Sequence, residues 1–162
     1  MLEKATRLLW KYDIKEFPVP VDAIEETIFK EDIKLSITKY LKKSFYYEDS
    51  KSKIIYLGHK VKATYKQREY LLHETAHMYH NGNTALLTSV VIHKNEGQAQ
   101  AFAAYFLMPI GVFETYLAKG ENDYALSEIF GVTQELVLYR KELSQSLIEG
   151  GSYEHMKYIF FN

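Results

Sequence analysis

The 162-residue chain is 47% hydrophobic and 15% aromatic, which is enough to bury a core, and its length suits one domain better than two. Charged residues make up 25% and the formal net charge is -1, which excludes a disordered polyelectrolyte and a global electrostatic pull on nucleic acid. Cysteine is absent, so no disulfide framework exists and any metal must be held by histidine, carboxylate or water.

At the N-terminus, MLEKATRLLWKYD interrupts its apolar residues with charge every few positions and so lacks the continuous stretch of a signal peptide. No run approaches the roughly 20 apolar residues of a membrane span. The expectation is a cytoplasmic protein without membrane association. Leu2, Ala5, Leu9 and Tyr12 recur at helical spacing, which predicts a first amphipathic helix stopping before Pro18 and Pro20. Val21, Ile24 and Ile28 repeat the pattern in a second. The period then changes: Ile33, Leu35 and Ile37 alternate, Phe45 to Tyr47 are aromatic, and Ile54 to Leu57 form an apolar run closed by Gly58, which together predict a small sheet of about three strands.

Thr64 followed by Gln67 has the spacing of a capping box, and a helix from about Tyr65 to His80 follows, ended by Asn81 and Gly82. The segment from Thr84 to His93 reads as either strand or loop. Asn95, with Gln98 three residues on, caps the next predicted helix, which ends near Met108 because Pro109 follows. Two or three shorter helices fill residues 110 to 148. The aromatic tail after Gly150 and Gly151 reads as a docked strand or a mobile end. The expected organisation is one domain over 1–162: N-terminal helices and small sheet in 1–63, site helices in 64–109, a helical part in 110–149 and the tail in 150–162.

Residues 73–77, HETAH, match H-E-x-x-H. Residues four apart on a helix lie about 40° apart in azimuth and about 6 Å apart along the axis, so His73 and His77 can converge on one ion. Glu74 is rotated by about 100° from His73, where it can reach a water beside the metal without ligating it. The pattern predicts two ligands and a general base. A polar helix face would need no such spacing.

Catalytic zinc needs a third protein ligand. Glu96, Ala99, Ala103 and Phe106 share one helix face, which sets the carboxylate on an apolar surface where coordination to a cation would relieve its burial. A glutamate in a first helical turn, favoured by the helix dipole, is the bland alternative. His80 and His93 are the other candidate ligands.

These residues resemble the ImmA/IrrE metallopeptidases. That family follows HExxH with a second helix of the form E, a few residues, A-N-x-F-A-x-x-L-L-M-P, and residues 96–109 here are EGQAQAFAAYFLMP. Ala99, Phe102, Ala103, Leu107, Met108 and Pro109 match, whereas Gln100 replaces the usual Asn and Phe106 the first Leu. The family often carries an acid directly before the Ala; here that position is Gln98 and the nearest acid is Glu96. The resemblance implies an α+β fold, a mostly helical zincin-like core with a small three-stranded sheet and C-terminal helices. It also implies Zn2+ held by His73, His77 and Glu96, Glu74 as catalytic base, and a helix-turn-helix repressor as protein substrate, so that the chain acts as an antirepressor of a phage, mobile element or stress regulon.

Two other classes compete. The segment ALSEIFGVTQELVLYR, residues 125–140, reads as two helices around Gly131 with Thr133 as cap, like a DNA-binding helix-turn-helix. Its acids Glu128 and Glu135 face Arg140 with no basic cluster, so direct nucleic-acid binding is not expected and an αα-hairpin packed on the core is the simpler reading. A metal-stabilised protein that binds its repressor without cutting it is the second alternative. The intact Glu74 speaks for the enzyme. The metzincin subclass is excluded by His80 and Asn83, where it requires Gly and His.

Overall fold

A computed structural model of the chain describes residues 1–62, 66–80 and 88–151. The Thr64 cap and Tyr65 helix start, the Asn81–Gly82 helix end, residues 84–87 and the tail from 152 onward lie outside the described residues.

Helix α1 (Leu2–Lys11) buries Ala5, Leu8 and Leu9, and α2 (Val21–Lys30) buries Ile24 and Ile28. The alternating segments form strands β1 (Lys34–Thr38), β2 (Phe45–Glu48) and β3 (Lys53–Gly58). Their order is β1-β3-β2, with β1 parallel to β3 in the register Leu35 to Ile55 and β2 antiparallel to β3 in the register Tyr46 to Ile55. Only the central strand buries side chains fully, at Ile55 and Leu57, as expected of a strand covered on both edges. Strand β2 is left as an edge, and it lies against the helix that carries HETAH.

A short helix α3 (His59–Lys62) precedes α4 (Gln67–Ala76), which continues as a 3₁₀ turn over His77–Tyr79. The sequence pattern suggested one continuous helix through His80. Instead the last turn tightens, and the His80 N–H bonds to the His77 carbonyl at 3.0 Å.

Helix α5 (Ser89–Leu107) corrects the sequence reading of its start. Val90 to Ile92, β-branched and read as strand or loop, are helical, and Asn95 lies inside the helix instead of capping it. Thr88 holds the N-cap position. Intrinsic propensity is a weak prior, and a helix whose second half is buried on every side from Ala101 to Leu107 imposes its geometry on the turns before it. The other end is as expected: Leu107 is the last helical residue, ahead of Pro109. Helices α4 and α5 form the central pair, with Leu71, Leu72 and Ala76 of the first and Ala99, Ala103 and Phe106 of the second at or below 2% exposure.

Three helices follow: α6 (Val112–Ala118), α7 (Asp123–Phe130) and α8 (Gln134–Glu149). The turn between α7 and α8 uses Gly131 at φ +60°, where an added Cβ would fall 2.9 Å from the Pro18 Cβ, so the position requires glycine on both counts. Thr133 caps α8 by accepting from the Leu136 N–H. The hairpin packs on the core through α8, which lies against α5 and buries Leu136 and Val137, as the αα reading expected. Arg140 does not face Glu128 or Glu135: it is fully buried and pairs with Glu114. Among the described residues no single helix is long and apolar enough to cross a membrane. The architecture is α+β: mostly helical, with one small mixed sheet.

A candidate metal centre

Helix α4 turns its Leu71, Leu72 and Ala76 surface into the core, and His73 and His77 emerge on the side facing α5. Glu96 of α5 meets them there. His73 Nε2 lies 3.1 Å from Glu96 Oε2, and His77 Nε2 lies 3.6 Å from Glu96 Oε1. One ligand atom from each of the three residues falls within 4.8 Å of the others. Four donors set tetrahedrally at about 2.0–2.1 Å from a zinc ion lie about 3.3 Å apart, so the two observed edges need only small side-chain adjustments to meet it.

Burial, assisted by the neighbouring His73, pushes the His77 imidazole down to about 4, with Glu96 opposing the shift. The ring is therefore neutral at physiological pH and keeps a lone pair for a cation. Two imidazoles and a carboxylate converging in this way are a donor set suited to zinc. The residues present fit the metal that the HExxH pattern implies.

Glu96 sits differently from the expectation of an inward, buried carboxylate. Its side chain is 53% exposed, at the mouth of the site. It also lies well inside α5 instead of in a first turn, so the dipole of the helix N-terminus does not account for it. Its Oε2 sits at hydrogen-bond distance from His73 and its Oε1 faces His77, a placement that a cation shared by the three residues would also satisfy.

Glu74 is 6% exposed and projects beside the histidines toward the sheet. The Ser44 hydroxyl donates to its Oε1 at 2.8 Å, and the Tyr46 backbone N–H donates to the same carboxylate. Burial raises its pKa above the usual carboxylate range, against the hydrogen bond from Ser44 and the proximity of His73. The sequence pattern had no means of finding Ser44 or Tyr46, which lie about 30 residues upstream on and beside an edge strand.

A cavity of about 410 Å³ opens over this group. It runs from His73, Glu74 and Glu96 past Tyr70 and Ala103 to Leu136 at the start of α8. The first turn of α8 is fastened to α4, because the Glu69 carboxylate accepts from both the Thr133 N–H at 2.6 Å and its hydroxyl at 3.2 Å. Lys66 pairs with Glu135 at 3.2 Å nearby. The hairpin that resembles a DNA reader thus forms a wall of the cleft. Of the other two histidines weighed as ligands, His93 is an exposed residue of α5 outside the donor group, and His80 touches His77 from the side away from Glu96.

The sequence model of the IrrE N-terminal-like domain (Peptidase_M78) matches residues 27–142. No curated protein matches the chain. Among solved structures, a Mycobacterium tuberculosis transcriptional regulator superposes with a TM-score of 0.63 at 18% identity, over 86% of this chain and 45% of that one. The likeness at that identity is one of fold, and this chain spans less than half the length of that protein.

Proposed function

Because the chain belongs to the IrrE N-terminal-like domain family, a metallopeptidase family, we propose that it is a cytoplasmic zinc endopeptidase that cuts a helix-turn-helix repressor and so acts as an antirepressor. The observation that carries this reading is the meeting of His73, His77 and Glu96 within 4.8 Å, with the buried Glu74 beside them at the head of an open cleft. His73, His77 and Glu96 would hold the ion, and zinc when bound there would supply Lewis acidity that polarises a peptide carbonyl and eases deprotonation of water at neutral pH.

Glu74 does the proton work. Ser44 and the Tyr46 N–H anchor its carboxylate, so it can take a proton from the attacking water and later pass it to the leaving amine. Its raised pKa makes it a stronger base than a solvated glutamate and a competent acid afterwards. The cleft supplies apolar surface from Tyr70, Ala103 and Leu136 along which a peptide side chain can lie. The repressor substrate follows from the family resemblance, and the regulatory setting agrees with the description of the structural neighbour.

The test is co-incubation of the purified, zinc-loaded protein with candidate helix-turn-helix repressors from its own genome. Discrete repressor fragments that vanish on chelation are expected. Relief of repression without fragments would replace the peptidase by a regulator that acts through binding alone.

A further inference from the structure

The 3₁₀ turn after α4 brings a third imidazole to the ligand pair. A 3₁₀ helix has about 3.0 residues per turn, so residues three apart are eclipsed. His80 is thereby set over His77, with its Nδ1 3.3 Å from the His77 Nδ1. The rings stand 5.3 Å apart at 70°, an edge-on arrangement in which nitrogen meets nitrogen and no faces stack.

The other nitrogen of His77, Nε2, looks the opposite way, toward Glu96. We propose that His80 is a positioning residue for the metal site: its Nδ1 accepts the Nδ1–H of His77 and so holds that imidazole in the tautomer whose Nε2 lone pair faces the ion. The inference rests on the zinc assignment above. Two neutral rings in Nδ1-to-Nδ1 contact can share only one proton, and a ring that coordinates through Nε2 must carry its own proton on Nδ1. His77 is then the donor and His80 the acceptor.

The same logic places the proton of His80 on its Nε2. That atom is buried and has no hydrogen-bond partner among the described residues, while the Gln98 side chain is the polar group of α5 that interacts with this ring. Metal-bound histidines usually give their second N–H to a carboxylate, a carbonyl or water, and the orientation so imposed governs affinity. Here a neutral imidazole takes that place and adds no negative charge to the site.

The experiment is zinc affinity, measured by competition with a chromogenic chelator, in the wild-type chain, His80→Leu, His80→Gln and His73→Ala. Leu keeps the volume of the imidazole but accepts no hydrogen bond, and a loss of about 10- to 100-fold is expected. Gln keeps an acceptor oxygen and should return to within a few-fold of wild type. Thermal unfolding of each metal-free variant separates misfolding from lost affinity, and His80→Ala replaces the Leu variant if that one does not fold. Wild-type affinity in His80→Leu would overturn the proposal, as would a loss in His80→Gln as deep as in His80→Leu, since that pattern marks a direct ligand. Failure of the wild type to bind zinc, or unchanged binding in His73→Ala, would instead remove the metal assignment and this inference with it.

Discussion

Helix α5 joins two polar clusters that show opposite treatments of charge. At its C-terminal end Arg140 is fully buried and fully answered. Its Nε donates to the Met108 carbonyl at 2.9 Å, Nη1 donates to the Ser144 hydroxyl, and Nη2 pairs with Glu114 at 2.8 Å. The guanidinium also lies over the rings of Tyr105 and Phe113, at 4.9 and 4.7 Å, while the second Glu114 oxygen takes the Gly111 N–H at 2.5 Å. Toward its N-terminal half, Glu96 faces two histidines in a cluster that is open to a cleft and brings three metal-ligating atoms together. A cluster that satisfies itself holds the fold together; one whose ligating atoms converge beside an open cleft is suited to a guest.

The sharpest way to break that contrast is at Glu74. Glu74→Gln keeps the shape of the side chain but cannot take a proton, so repressor cleavage should fall by about a thousand-fold while zinc content stays at wild-type level. Fragment formation followed by gel and metal content by atomic absorption measure the two halves, and cleavage within ten-fold of wild type would remove Glu74 as the base.

Metal binding comes next. His73→Ala or His77→Ala should lose stoichiometric zinc, because two donors hold a catalytic ion poorly, and Glu96→Ala should weaken it strongly without unfolding the chain. Unchanged affinity in Glu96→Ala would leave the histidines without their third partner.

The closed cluster should respond in stability. Glu114→Ala leaves the Arg140 charge buried and unpaired, which costs about 3–5 kcal/mol, whereas the double change Arg140→Met with Glu114→Leu should recover most of that. Denaturant unfolding measures both. A Glu114→Ala variant as stable as wild type would mean that the pair is not the structural clamp described.

The smallest effect concerns acid, and it separates the clusters by pH. His77 in the folded chain is pushed down to about 4 from its ordinary value near 6.5, so between those values the unfolded chain binds the proton more readily. Stability of the metal-free protein should therefore fall as pH drops through that window, by at most about 2 kcal/mol between about pH 7 and pH 5, and His77→Gln should flatten the slope. An unchanged slope in that variant would assign the acid sensitivity elsewhere.

The candidate site was legible in five consecutive residues, because i to i+4 spacing on a helix is a local property. Its completion was less so. Glu96 was named from its helix face and the family pattern, yet the reason first offered, an inward and buried carboxylate, does not describe a side chain that is 53% exposed. Arg140 is the converse: read in sequence as facing Glu128 and Glu135, it lies in the core and pairs with Glu114. Nothing within a few residues of Arg140 signals Glu114, which lies on another helix.

Local periodicity by itself determined the first two helices, the three strands, the stop of α5 before Pro109, and the His-Glu-His geometry, since each depends on residues within one or two turns. Absence of cysteine determined that a metal would be held by nitrogen and oxygen. Only the tertiary structure decided that Glu96 meets the histidines, that Ser44 and the edge strand grip Glu74, and that α8 walls the cleft, because each joins elements brought together by burial of their apolar faces. The tightening of α4 into a 3₁₀ turn belongs with these. It is a change of one hydrogen-bond register that no residue pattern announces, and it brings His80, already an i+3 neighbour of His77, into an eclipsed position against it.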